Sequence, residues 1–350
     1  SKSRELEASD IRSLFEEIIA LGCRHVRFTG GEPLLRDDFE QIYLYAKKLG
    51  LSIELFTNGT RITPKIAHLF KEYPPGEKIQ ISLYGYDQKS YEATSRTPGS
   101  FEAAQQGIAL LHKNRIPFEI RGVILPMKKE NFIKFEAWAK KINKPAIHQS
   151  KVTMLYSRCR GYDAMHEKII KKLRLPPEEQ LKLEASQPEV YKLDVSNFCS
   201  HFCQIHGDQL FHCGAGMYQG CVDAYGNLQM CLLLRHPDTV YNLRKGSLSQ
   251  AFNVFFKDVR QMRAKNPIYL EQCARCFLRA LCDQCPAVAW MECRSLDGWI
   301  EHICSYTHVQ AAFIGLLEKN EKAWLVTNWE KRLEKLPKLC LSSAEKSREQ

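Results

Sequence analysis

The chain has 350 residues, of which 44% are hydrophobic, with 50 Lys and Arg against 40 Asp and Glu, a formal net charge of +10, and 14 cysteines. This length suits one large domain or two with a sizeable core, and the composition is not that of a disordered chain. No apolar run approaches the roughly 18 residues that a membrane span needs, and the polar start Ser1 to Arg4 is unlike a signal peptide. The sequence therefore predicts a soluble, cytoplasmic protein.

The first 160 residues repeat a unit of helix and strand. Apolar residues recur at helical spacing from Ile11 to Leu21, Ser9 and Asp10 offer a cap, and Gly22 ends this first helix. The predicted strands cover residues 25–28, 51–56, 78–84, 116–124 and 151–156, and the helices between them begin near residues 37, 63, 100 and 131. Strands alternating with amphipathic helices indicate parallel β/α construction, in which functional loops follow the carboxyl ends of the strands.

Further along the chain the pattern changes twice. Around residues 160–200 a charged stretch containing Pro176 and Pro177 interrupts the repeat, and beyond about residue 310 the chain becomes rich in Lys and Glu. The predicted organisation is a barrel domain at 1–160, a linker region at 161–200, a cysteine-rich domain at 201–310, and a charged C-terminal helix and tail at 311–350.

Three polar, glycine-containing segments follow predicted strands, at residues 29–33, 57–60 and 82–85. In the first, Gly30 and Gly31 precede Glu32, so that a ligand can approach the backbone closely while the acid accepts hydrogen bonds from an amine. Gly-Gly before a helix is by itself more often only a turn. A strand that runs Val-Arg-Phe-Thr-Gly-Gly-Glu-Pro-Leu-Leu, then a helix, then a strand ending Thr-Asn-Gly-Thr resembles the core of radical S-adenosylmethionine (SAM) enzymes.

The resemblance implies an α/β fold, a partial (β/α)6 TIM-like barrel that lacks its first strand. In that family the loop after the second strand holds the methionyl amino group of SAM, which assigns Gly30, Gly31, Glu32 and Pro33. By the same resemblance, candidates for the SAM ribose and carboxylate are Thr57, Asn58, Ser82 and Arg121. Arginine pairs bidentately with a carboxylate, although an ordinary surface ion pair explains Arg121 equally well.

One defining motif of the family, Cys-x3-Cys-x2-Cys after the first strand, has no counterpart before Ile11. A similar run of Cys199, Cys203 and His206 lies after the predicted barrel, and we interpret it as coincidence or as part of the cysteine-rich domain. Residue 1 is not Met, so we expect the first strand and its cluster loop to precede it, with a naturally degenerate protein as the alternative. The chain as given is expected not to cleave SAM.

The cysteines are unevenly distributed, since 11 of the 14 lie between Cys199 and Cys304, where even spreading gives about four. Without a secretory signal this crowding indicates metal or redox chemistry. Four thiols fall within 13 residues in the run Cys273-x2-Cys276-x5-Cys282-x2-Cys285. The Cys-x2-Cys spacing lets two sulfurs converge on one soft metal centre. These cysteines alone favour a structural zinc site and an iron–sulfur cluster about equally.

The whole section 213–304 resembles the SPASM extension of radical SAM peptide-modifying enzymes, except that the last spacing in the run is x2 instead of x3. The resemblance implies two auxiliary 4Fe–4S clusters. One, the Cys231 set, consists of Cys213, Cys221, Cys231 and Cys285, and the other, the Cys273 set, consists of Cys273, Cys276, Cys282 and Cys304. Cys293 is a substitute to consider for Cys285.

The implied function is that of a radical SAM/SPASM oxidoreductase, which modifies a ribosomally made peptide or protein by 5′-deoxyadenosyl-radical hydrogen abstraction. The cofactors would be SAM and 4Fe–4S clusters, and the partners a peptide or protein substrate and an electron donor such as flavodoxin or ferredoxin. Neither a membrane nor nucleic acid is an expected partner. Leu232 follows Cys231 where formylglycine-forming sulfatase maturases carry an acid, which argues against that branch. No catalytic base can be nominated.

Other interpretations remain open. The absent triple-cysteine motif suggests a non-catalytic iron–sulfur electron-transfer protein or peptide-binding scaffold that lacks the SAM cluster. The charge of +10 suggests a zinc-stapled nucleic-acid-binding protein, although Lys and Glu interleave along most of the chain, as on a solvated surface. The basic stretch 140–174 suits an acidic leader peptide, but a solvated face is the simpler explanation.

Overall fold

The computed structural model describes residues 4–122, 129–142, 168, 171–172, 174–185 and 187–336. The chain divides into two compact units. The first consists of Ser1–Leu155, Cys221–Leu228 and Tyr241–Val254, and the second of Tyr156–Gly220, Gln229–Val240 and Phe255–Gln350. The segments 221–228 and 241–254 of the first unit fall inside the range assigned from sequence to the cysteine-rich domain. The predicted domain boundaries stay predictions.

The first unit alternates helices with parallel strands. Its described helices are α1 (Ala8–Ala20), α2 (Phe39–Lys48), α3 (Pro64–Glu72), α4 (Gln88–Ser95), α5 (Ser100–Lys113) and α6 (Lys129–Ile142). Its parallel strands are β1 (His25–Phe28), β2 (Ser52–Thr57), β3 (Ile79–Leu83) and β4 (Phe118–Gly122), which form one sheet in that order. The predicted α/β class and parallel sheet are confirmed. Helix α4 was not predicted, and the strand predicted at 151–156 lies outside the described residues.

Local sequence signals set the ends of the first two helices. Gly22 and Gly50 have φ of +87° and +77°, so both glycines end a helix in the left-handed conformation, as predicted. The predicted cap of α1 is wrong by two residues. Glu7 precedes the helix, and its backbone N–H donates to the Asp10 carboxylate at 2.9 Å, which places Ser9 and Asp10 inside the first turn.

The sheet of the first unit has one apolar and one polar face. Ile53, Leu55, Ile81 and Ile120 are fully buried on the apolar face. Because side chains alternate along a strand, the residues between them lie on the opposite face. We call this the polar face, and its polar members are Arg27, Glu54, Gln80, Ser82, Glu119 and Arg121. Buried parallel strands are usually apolar on both faces, so this polarity marks a functional surface.

An aromatic cluster joins the first two helices to the strands they cover. The Phe28 ring lies 6.1 Å from Phe15 on α1 and 6.0 Å from Phe39 on α2, and Phe39 lies 5.8 Å from Tyr43, measured between ring centroids. Such large side chains contribute most of the apolar area that a small core can bury. The described core of the first unit therefore lies between the sheet and the helices α1 and α2.

The second unit is built from short helices around the cysteines. Its described α-helices include α7 (Pro177–Glu184), α8 (Pro188–Phe202), α9 (Phe256–Arg260), α10 (Pro267–Glu271), α11 (Pro286–Cys293), α12 (Glu301–Phe313) and α13 (Trp329–Glu334). Single 3-10 turns cover Cys273–Arg275 and Phe277–Arg279. A separate three-stranded sheet, most of whose residues belong to the first unit, contains β5 (Cys221–Val222), β6 (Asn227–Gln229) and β7 (Val240–Asn242). None of the helices described in either unit has both the length and the apolar character needed to cross a bilayer.

Candidate functional site

The loop that follows β1 is open on its backbone side. Gly30 has φ of +125°, a conformation that residues with a side chain rarely adopt, which explains the glycine. A Cβ placed on Gly30 or on Gly31 would meet no atom within 4 Å. The two glycines therefore leave room beside the backbone for a ligand at the carboxyl end of the strand.

Glu32 ties this loop to the end of β2. Its carboxylate accepts hydrogen bonds from the Thr57 hydroxyl at 2.8 Å and from the Asn58 backbone N–H at 2.7 Å. It also accepts one from the Leu34 backbone N–H at 3.1 Å, at the start of the 3-10 turn Pro33–Leu35. A carboxylate has about four acceptor positions, and three are used within the protein. The Glu32 carboxylate thus holds two loops together and keeps one acceptor position, so its assignment to a ligand amine stays a prediction.

The loop after β2 is fixed from the other side by α5. A Cβ on Gly107 would lie 2.2 Å from the Gly59 carbonyl oxygen, so only glycine lets the helix backbone approach so closely. Within the loop, the Asn58 side-chain oxygen accepts hydrogen bonds from the backbone N–H of Thr60 at 2.9 Å and from its hydroxyl at 2.7 Å. Thr57 and Asn58 are therefore held in one arrangement before any ligand binds.

Ser82 on β3 and Arg121 on β4 are register partners, so they are neighbours on the polar face. The Arg121 Nε donates to the Gln80 side-chain oxygen at 2.6 Å, and Nη2 lies 3.4 Å from the Glu119 carboxylate. The Glu119 side chain is only 7% exposed, so this is not the exposed surface ion pair considered from sequence. A ligand carboxylate would share the guanidinium with Glu119.

A buried tyrosine of α4, Tyr91, lies near the loops at the same edge of the sheet. Gly85 packs against the start of α4, where a Cβ would lie 2.5 Å from the Tyr91 backbone nitrogen. Burial raises the pKa of Tyr91 to about 12, and the nearby Tyr84 and the Glu32 charge contribute to the rise. Tyr91 is therefore neutral near pH 7, and it lies close to the carboxylate that organises the loops.

The four thiols of the Cys273 set are brought together in the second unit. Burial raises the pKa of each of them, to about 11 for Cys273 and about 12 for Cys304. After burial, the largest cause of the rise for Cys276 and for Cys304 is the charge of Cys282, so these thiols lie within electrostatic range of one another. The thiols are protonated at neutral pH in the cluster-free chain, and a bound metal would have to displace their protons.

Three members of the Cys231 set are also neighbours. Burial raises the pKa of Cys231, and the charges of Cys285 and Cys213 add to the rise. Cys221, the fourth member, lies on β5, which belongs to the first unit. The substitute Cys293 has other neighbours, because its pKa is raised first by burial and then by Glu292. The assignment of all eight ligands stays a prediction.

The two cysteines of the run Cys199, Cys203 and His206, at the end of α8, are part of the core. Cys199 and Cys203 are 0% and 7% exposed and pack in one apolar cluster with Cys276 and Phe277. Hydrogen bonding to Cys203 and burial both raise the pKa of Cys199. His206 is directed elsewhere, with its ring centroid 4.0 Å from that of His212. Cys199 and Cys203 thus fill the apolar core beside Cys276, a member of the Cys273 set.

The surroundings of the Cys273 set fit a negatively charged metal centre. Arg279 is only 8% exposed and stacks over the Tyr269 ring at 5.1 Å, and among the described residues its Nη1 has no hydrogen-bond partner. Burial raises the pKa of Cys273, while the Arg279 charge opposes the rise. Four thiolates on an iron–sulfur cluster or on zinc would supply the anion that this buried cation lacks. Within the described ranges, no three Cys, His, Asp or Glu side chains are already placed as ligands of a single ion.

Sequence reasoning missed several residues of these sites. Arg27 pairs with Glu54 at 2.6 Å on the polar face, and Gln80 and Glu119 hold Arg121. These strands carry polar residues at every second position, although helices precede and follow each strand in the sequence. That alternation was the signal for a polar face. Arg279 had no comparable signal, because an arginine between cysteines is equally compatible with an exposed turn.

A family model matches the N-terminal part of the chain. Residues 1–142 match the model described as the radical SAM superfamily. The resemblance inferred from the Gly-Gly-Glu-Pro and Thr-Asn-Gly-Thr segments is confirmed for this part of the chain.

Curated relatives match part of the chain. The AdoMet-dependent heme synthase of Methanosarcina barkeri is 29% identical over 144 residues, 41% of this chain and 41% of that protein. The mycofactocin maturase MftC of Mycolicibacterium smegmatis is 31% identical over 105 residues, 30% of this chain and 26% of that protein. The chain thus spans about two fifths or less of the length of these relatives.

Solved structures match over most of the chain. Native anSMEcpe with bound AdoMet and Kp18Cys peptide superposes with a TM-score of 0.62 at 13% identity, covering 88% of both chains. Streptococcus suis SuiB bound to precursor peptide SuiA gives a TM-score of 0.53 at 16% identity, covering 85% of this chain and 69% of SuiB. At these identities the likeness shows the fold alone, which is the α/β fold predicted from sequence.

Proposed function

We propose that this protein is a radical SAM/SPASM enzyme that modifies a ribosomally made peptide or protein and holds two auxiliary 4Fe–4S clusters. The observation that carries the proposal is the carboxylate of Glu32, which accepts hydrogen bonds from Thr57 and Asn58. It holds two loops at the carboxyl ends of adjacent strands and leaves the backbone of Gly30 and Gly31 open. In parallel β/α folds this edge is where ligands bind.

The residues of the first unit would bind and orient SAM. Gly30, Gly31, Glu32 and Pro33 would hold its amino group, and Thr57, Asn58 and Ser82 would face the ribose. Arg121 would receive the carboxylate, since its guanidinium has donors beyond those used by Gln80 and Glu119. When bound, SAM with its cluster supplies one-electron chemistry that ends in hydrogen abstraction from the substrate.

The Cys231 set and the Cys273 set would hold the auxiliary clusters. Cys273 and Cys276 are buried whereas Cys213 is exposed, and the donors around the sulfurs would tune the potential at which each cluster accepts an electron. The maturase and the peptide-bound structures among the similar proteins support a peptide substrate. A cytoplasmic location and a flavodoxin or ferredoxin as electron donor complete the proposal.

A binding measurement tests the first unit. The full chain, reconstituted anaerobically with iron and sulfide, would be dialysed to equilibrium against radiolabelled SAM. We expect saturable binding, weakened about tenfold or more by Glu32→Gln, because a lost charge-assisted hydrogen bond costs about 1.5–3 kcal/mol. The exposed Glu77→Gln is the matched control and should bind like the wild type. Absence of saturable binding in the wild type would contradict the proposal.

Cleavage is a separate question from binding. This 350-residue chain contains no Cys-x3-Cys-x2-Cys run, so we expect it to form no 5′-deoxyadenosine from SAM and dithionite. The measurement is chromatography of the reaction mixture against a control without protein. Product above that control would show that the chain cleaves SAM with other ligands.

A further inference from the structure

Arg279 is a buried cation in the middle of the Cys273 set. It lies three residues after Cys276 and three before Cys282, in the 3-10 turn Phe277–Arg279. The side chain is 8% exposed and stacks over the Tyr269 ring at 5.1 Å. Arginine stays protonated in proteins, so it cannot relieve this burial by losing its charge.

The described surroundings do not neutralise Arg279. Among the described residues, no Asp or Glu oxygen lies within 4.0 Å of its guanidinium, and its Nη1 has no hydrogen-bond partner. The nearby His206 and His212 add no negative charge. Burial is the largest cause of a lowered pKa for both histidines, and the pKa of His212 falls to about 4. A buried charge with no partner is strongly unfavourable, so an anion at this place would stabilise the fold.

A second donor is directed at the same sulfur as Arg279. Gln284 is 4% exposed, and its side-chain N–H groups donate to the Gly298 carbonyl at 2.9 Å and to the Cys273 Sγ at 3.5 Å. Its oxygen accepts a hydrogen bond from the Ile300 backbone N–H at 3.2 Å, which fixes the amide. Cys273 thus receives a neutral N–H donor from Gln284, and the Arg279 charge acts on the same thiol.

We propose that Arg279 compensates the negative charge of the auxiliary cluster held by the Cys273 set and thereby raises its reduction potential. The inference rests on the proposed function, because it assumes an iron–sulfur cluster on these cysteines. Adding an electron makes such a cluster more negative, so a cation beside Cys273 stabilises the reduced form more than the oxidised form. Gln284 assists as a neutral donor, with a smaller effect.

The test is a redox titration of the reconstituted full chain, followed by electron paramagnetic resonance. Arg279→Met keeps the length of the side chain and removes the charge. At the wild-type midpoint we expect its reduced-to-oxidised ratio to fall tenfold or more, which is 59 mV for a one-electron couple. Arg279→Lys should stay within about threefold of the wild type, since the charge is kept. Arg275→Met is the matched control, because Arg275 lies in the preceding turn but is exposed and screened by solvent.

The outcomes separate the inference from the function beneath it. A full iron content with an unchanged potential in Arg279→Met, or an equal shift in Arg275→Met, would overturn the role of Arg279 and leave the function standing. If Arg279→Met loses this cluster, retention in Arg279→Lys supports charge compensation, and loss in both variants overturns it. A wild-type protein that binds no iron–sulfur cluster would overturn the proposed function and the inference together.

Discussion

The two units treat their charged groups in opposite ways. In the first unit, Glu32 is satisfied by two loops, and Arg121 is paired with Glu119, so this edge is already complete without a ligand. In the second unit, the buried Arg279 has an unpartnered Nη1 among the described residues, beside four thiols with raised pKa values. Under the proposed function, the first site is preorganised for an added ligand, whereas the buried cation of the second would gain an anionic partner only when the cluster binds.

This difference has a physical basis. A carboxylate that accepts three hydrogen bonds within the protein has only a small desolvation penalty, and it restrains the loops that it joins. An unpartnered donor in the interior costs about 1–3 kcal/mol, and an unpaired charge costs more. The second unit should therefore gain more stability from its cofactor than the first unit gains from SAM.

Loss of one ligand of the Cys273 set is expected to have the largest effect. Cys276→Ser replaces a buried soft ligand by a hydroxyl that iron binds poorly, so the iron content should fall from about eight to about four per chain. Cys23→Ser, outside both sets, is the control and should retain all of the iron. Iron analysis after anaerobic reconstitution checks this, and an unchanged content in Cys276→Ser would remove that residue from the ligand set.

The next effect compares the loaded and the cluster-free protein. Arg279→Met should destabilise the loaded chain by about 1–3 kcal/mol more than it destabilises the cluster-free chain, because the charge is compensated only when the cluster is bound. Denaturant unfolding of both forms under argon gives the two values. Equal effects in both forms would mean that Arg279 contributes only its packing on Tyr269.

In the first unit, the contact between α5 and the loop after β2 offers a mutation that needs no cofactor. Gly107→Ala places a Cβ that would lie 2.2 Å from the Gly59 carbonyl, so α5 must shift, at a cost of about 1–3 kcal/mol. The control is Gln106→Ala at the exposed neighbouring position, where the higher helix propensity of alanine should leave the stability nearly unchanged. Thermal unfolding distinguishes the two, and equal melting temperatures would show that the contact adapts freely.

The smallest expected effect concerns Tyr91 at alkaline pH. Burial raises its pKa from 10 to about 12, so the unfolded chain loses the tyrosine proton at a lower pH than the folded chain does. The contribution of this group to stability is complete below pH 10 and is lost as the pH rises toward 12. Tyr91→Phe should therefore lose less stability than the wild type between pH 10 and 11 in urea titrations. Parallel losses would mean that Tyr91 is not buried as described.

The sequence supported the order of helices and strands better than it supported the sites. Gly22 and Gly50 ended helices as predicted, because left-handed helix ends have a strong local signal. The cap of α1 and the presence of α4 were missed, since several polar residues near a helix start compete as caps. The role of Glu32 as a tie between loops required knowing that β1 and β2 are adjacent, which is a tertiary fact.

The site predictions differ between the units for a similar reason. The spacing of Cys273, Cys276 and Cys282 made them candidates, because short spacings constrain where sulfurs can lie. Spacing does not report what surrounds the sulfurs, so the donors from Arg279 and Gln284 emerged only from the folded arrangement. Arg121 was identified, but its pairing with Gln80 and Glu119 depends on strand register.

The central claim is that the Cys231 set and the Cys273 set hold two iron–sulfur clusters. The most direct test is the measurement of iron, sulfide and zinc in the full chain after anaerobic reconstitution and removal of unbound metal. The account predicts about eight irons and about eight sulfides per chain with little zinc, the content of two 4Fe–4S clusters. Stoichiometric zinc with little iron and no acid-labile sulfide would contradict it.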